Sequence, residues 1–98
     1  MKPVSLTEGL AAVARRCVWF KEPAEAIADP RYFVAYVLTY GTHEDVAELR
    51  TQVSDSDLQE AIDNAPAGIF DARSWAYWNL MLGRYKAPPM PQRKFDAA

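Results

Sequence analysis

Apolar residues recur along this chain at intervals of three and four, the spacing that lines one face of a helix. Leu6, Leu10, Val13 and Cys17 form the first such stripe, and Ser5 with Glu8 three residues on makes a capping-box pair before it. A helix over 6–17 is the expectation. Pro23 then favours a short helical turn over 24–28. Asp29-Pro30 supplies an oxygen cap followed by a proline at the first helical position, and Gly41 supplies a stop. Between them Phe33, Tyr36, Val37 and Tyr40 keep helical spacing, while Tyr32, Val34 and Leu38 widen the apolar surface. A helix apolar around most of its circumference belongs at the centre of the fold.

Thr42 with Asp45 three residues on opens the next helix, whose Val46, Leu49 and Val53 should face inward. Residues 54–57, Ser-Asp-Ser-Asp, make a cap-rich turn before Leu58, Ala61, Ile62 and Ala65. A loop over 64–68 contains Pro66. Asp71 caps a last helix over 72–82, with Phe70 and Trp75 placed as a hydrophobic staple and Gly83 as its end. Trp75, Trp78 and Leu82 share one face. No strand pattern or internal repeat is visible. The fold class expected is all-α: a compact bundle of four to five short helices over 1–83, followed over 84–98 by an extended or disordered basic tail rich in proline.

Composition narrows the function. The chain has 98 residues, half of them hydrophobic and 24% charged, which suits one small soluble domain rather than a disordered chain or a membrane span. One cysteine and one histidine leave no disulfide framework and no Cys/His zinc set. The start lacks an apolar leader segment, so a cytoplasmic setting is expected, with Cys17 as a small core residue. The net charge of −2 is unevenly spread. Residues 42–71 carry eight carboxylates against Arg50 alone, whereas Lys2, Arg15, Arg16 and Lys21 near the start and five cations after residue 72 make both ends basic.

Catalytic vocabulary is sparse. His43 is the only imidazole, with no nucleophile set around it by spacing, and reads as a surface or capping residue. Glu44 and Glu48 share a helix face but lack a third ligand at fixed spacing. The four glycines stand singly, so there is no phosphate loop. Neither an enzyme nor a cofactor is expected. The helices at 44–52 and 57–64 have the outline of a helix-turn-helix, but Asp57, Glu60 and Asp63 on the second would repel phosphates, and an αα-hairpin is the better reading. Those acids, with Glu44, Asp45 and Glu48, form a candidate face for a basic protein partner. Many acids at helix starts simply suit the helix dipole. Of twelve aromatic residues, Trp19, Phe20, Tyr77 and Tyr85 fall off the inward stripes. The first three complete the candidate partner-binding set. Surplus aromatics also make a homodimer compatible with so small a domain.

Three stretches carry a resemblance: Arg31-Tyr32-Phe33 through Val37-Leu38-Thr39-Tyr40-Gly41-Thr42-His43-Glu44-Asp45, then Leu49-Arg50, then residues 71–83 with Trp75, Trp78, Leu82 and Gly83. Together, over roughly 19–83, they resemble a group of small uncharacterised bacterial helical proteins often encoded beside nucleotidyltransferase-type toxins. The motifs are fold punctuation rather than catalytic residues, and the first helix and basic tail lie outside the shared pattern. The resemblance implies an antitoxin or accessory role. It leaves a protein-interaction module as the leading reading and a helix-turn-helix-like DNA-binding regulator as the alternative.

Overall fold

The computed structural model describes residues 3–84 and 86–90. Among these residues six helices follow in chain order: α1 (Glu8–Cys17), α2 (Pro23–Ile27), α3 (Pro30–Tyr40), α4 (His43–Leu49), α5 (Asp55–Asp63) and α6 (Ala72–Met81). There is no strand among the described residues, and the all-α expectation holds. Those six helices are one more than the four to five expected, and the short turn at Pro23 closes as α2 with proline in its first turn. No helix among the described residues is long and apolar enough to cross a membrane.

α3 is the hub and packs against each of the other five helices. Asp29 accepts from the Tyr32 N–H at its start, and it buries Phe33, Val34, Ala35, Val37 and Leu38. Its inward face is therefore rotated from the one expected: Tyr36 is half-buried and Tyr40 is 61% exposed. A tyrosine can cover apolar surface with its ring while keeping its hydroxyl wet, so the helix turns the side without hydroxyls, Phe33 and its aliphatic neighbours, to the core.

Gly41 does end α3, but not through a left-handed backbone, since its φ is −76°. Space is the reason. A Cβ there would lie 2.6 Å from the Val37 carbonyl oxygen and 3.1 Å from the Asp45 Cβ. Gly41→Ala is expected to cost about 1–3 kcal/mol through overpacking. An unchanged urea midpoint would show that the turn has room to spare. Gly83 is the conformational case: at φ +82° its N–H donates to the Leu80 carbonyl, and the Arg84 N–H donates to Asn79, closing α6 in a Schellman motif.

α1 starts later than expected because Thr7, not Ser5, is its cap, accepting from the Leu10 N–H at 3.1 Å. Ser5 is engaged elsewhere: its N–H donates to Gln52 Oε1 at 2.8 Å, and Gln52 Nε2 donates back to its carbonyl at 3.0 Å. Leu6 is accordingly exposed. Both α4 and α5 begin with complete capping boxes, Thr42 with Asp45 and Ser54 with Asp57. These two helices each pack on α3 and not on each other. The close contact expected of an αα-hairpin is therefore not seen between them.

The Phe70–Trp75 staple forms, edge to face at 5.7 Å. Beyond α6 the described residues 86–90 form neither helix nor strand, and they lie against the domain. Trp75 Nε1 donates to the Pro88 carbonyl at 2.7 Å, and Ala87 and Met90 pack on the core. The rest of the tail, 91–98, and Tyr85 lie outside the described residues.

Candidate functional site

The acidic segment is the first feature to change character in three dimensions. Arg16, Arg31 and Arg84, all from outside it, pair with Asp45, Glu60 and Asp63, the last two at 3.1 and 2.8 Å. Arg50 pairs with Asp55, and Asp57 is held in its capping box. Glu48 covers Gly9 of α1, where an added Cβ would meet its carboxylate. Glu44 stays exposed on the first turn of α4. Among the described residues, four of the eight carboxylates in 42–71 are thus held in ion pairs.

Asp45 corrects the expected set outright: it is 2% exposed and cannot belong to a partner-facing surface. It sits where α1 meets α4. Arg16 donates to Oδ1 through Nε, at 3.1 Å, and through Nη2. The Thr42 N–H donates to Oδ2 at 3.0 Å, and the Cys17 thiol lies 3.8 Å from that oxygen. Burial pushes the Asp45 carboxyl up, but the Arg16 and Thr42 donors outweigh it and hold it below the ordinary carboxylate range. Burial, reinforced by the Asp45 charge, pushes the Cys17 thiol up to about 11. A thiol so shifted is a core group rather than a nucleophile. No cluster of three or more His, Cys, Asp or Glu side chains suited to a metal occurs among the described residues.

Two surfaces remain. The first is aromatic. Trp19, 77% exposed, stands edge to face with Phe20 at 5.5 Å; Phe20 meets Tyr36 at 5.6 Å, and Tyr36 meets Tyr40 at 5.6 Å. Tyr32 extends the row, donating to the Tyr36 hydroxyl at 3.2 Å beneath Lys21 Nζ, 5.1 Å from its ring centre. Four of these rings, with Arg16 and Cys17, line a hollow of about 440 Å³. Trp19 and Phe20 were legible as off-stripe residues. Tyr36 and Tyr40 were missed, because their helical spacing matched the core stripe.

The second surface is a trough of about 590 Å³ between α4 and α6. Tyr77, the third aromatic of the candidate set, lies here and not with Trp19 and Phe20. Leu38 and Trp78 contribute its floor, His43 and Val46 one wall, Tyr77 and Met81 the other. Val46, expected inside, is half-buried on that wall.

No family model, curated protein or solved structure matches the chain.

Proposed function

We propose that this chain is a protein-interaction module, in the antitoxin or accessory setting that its resemblance implies, and that the Trp19–Phe20–Tyr36–Tyr40 row is its main contact surface. The observation that carries the reading is that row itself. Contiguous exposed aromatics are typical of interface hot spots, because rigid rings bury much area for little lost entropy. The chain keeps Trp19 and Tyr40 at the surface while Phe33, Phe70, Trp75 and Trp78 are buried in its core. Arg16 and Lys21 flank the rings and favour a partner with acidic groups around an apolar centre.

The test is co-expression with the nucleotidyltransferase-type product of an adjacent gene. The wild-type chain is expected to co-purify with it and restore growth. Trp19→Ala should weaken the complex by about tenfold while the thermal midpoint stays put, since the side chain is exposed. A wild-type chain that neither co-purifies nor restores growth would overturn the reading.

A further inference from the structure

We infer that the trough between α4 and α6 is a docking slot for an acidic amphipathic helix of a partner protein. The inference rests on the interaction-module reading and adds a second surface and the chemistry of its occupant. α4 and α6 both pack on α3 but not on each other, so they stand as two separated rails over it. Each rail presents residues four apart, Thr42, Val46 and Arg50 on one and Arg73, Tyr77 and Met81 on the other. From its first residue to its third each rail covers eight residue steps, about 12 Å or roughly two turns. A groove walled by helical ladders is filled best by another ladder with apolar anchors at i, i+3, i+4 and i+7.

The floor is firm. Trp78 Nε1 donates to the Leu38 carbonyl at 2.8 Å, which fixes the indole under the slot. The rim is soft: Tyr77 and Met81 are exposed, and a thioether adapts to whichever apolar anchor meets it.

Charge selects the occupant. No carboxylate lines the trough, and its charged side chains are Arg50 and Arg73. Arg50 pairs with Asp55. Arg73 feels Asp71 nearby but forms no direct ion pair among the described residues. Arg73 is thus the exposed cation on the rim that complements Glu or Asp flanking the anchors of the incoming helix.

The experiment titrates the full chain with a synthetic helical peptide carrying leucines at that spacing and flanking glutamates. His43 lines the slot and is the only histidine, so its imidazole resonances report occupancy without assignment ambiguity. The expected result is a saturable shift, an affinity that falls as salt rises, and little binding by the same peptide with lysines for glutamates. Arg73→Glu and Ala47→Glu, on opposite rails and both exposed, should each weaken binding by about tenfold at an unchanged thermal midpoint. Trp19→Ala should leave peptide binding unchanged. Resonances that do not move, equal binding of the lysine peptide, or a response to dodecanoate alone would overturn the slot. If the slot fails while the wild-type chain still co-purifies with its partner, the module reading stands without it.

Discussion

Trp78→Ala is expected to lose about 3–5 kcal/mol of stability, the usual cost of deleting a buried large aromatic. Trp78 is 7% exposed and lies where α6 meets α3. Two losses coincide in the variant. The indole leaves a cavity that the surrounding helices fill only in part. The Leu38 carbonyl, one of the last four of α3 and so without an intrahelical partner, also loses its donor. Trp78→Phe separates them: it keeps most of the ring volume but not the N–H, and should cost about 1–2 kcal/mol. For a domain of this size the alanine variant's thermal midpoint should fall by roughly 15–30 °C. Since small domains hold only about 5–15 kcal/mol in all, it approaches unfolding at ambient temperature. An alanine variant that melts with the wild type would place Trp78 outside the core.

What could be read along the chain was the local chemistry. Asp29-Pro30, Thr42 with Asp45, Asp71 and Gly83 each act within four residues of themselves, and each does its work where spacing places it. The failures share a cause in distance. Ser5 and Thr7 are equally good caps, and the choice falls to Thr7 because Gln52, 47 residues away, engages the backbone of Ser5. Asp45 reads as one more acid in a helix first turn, and only Arg16, from 29 residues upstream, makes its burial possible. Tyr36 and Tyr40 match an inward stripe that α3 satisfies with Phe33, Val34, Ala35, Val37 and Leu38 instead. The trough exists because α4 and α6 do not touch, a property of neither helix alone. Thus candidate residues could be named singly, whereas the surfaces they form depend on which helices α3 brings side by side.

Asp45→Ala should lose about 2–3 kcal/mol, the second largest effect expected of a single substitution. Its part in the α4 capping box is to accept from the part-buried Thr42 N–H, and orphaning that donor costs about 1–3 kcal/mol. Arg16 keeps half its surface in water and can be solvated when the carboxylate goes, so the full penalty of a stranded buried charge does not apply. Asp45→Asn retains the shape and one acceptor, and it removes the titration. Because the folded state holds this carboxyl below its ordinary value of about 3.9, the unfolded chain binds the proton more readily. Its contribution is therefore complete above about pH 5 and is lost as the pH falls through the folded-state value. Asp71, held low by the Ser74 N–H, titrates in the same window, so acid destabilisation of the wild type alone does not isolate Asp45. The difference between wild type and Asp45→Asn does. Measured by urea denaturation from pH 7 to pH 3, that gap should stay constant down to about pH 5 and then narrow. A gap that stays constant to pH 3 would mean that the Arg16–Asp45 contact contributes no charge-dependent stability to the junction of α1 and α4.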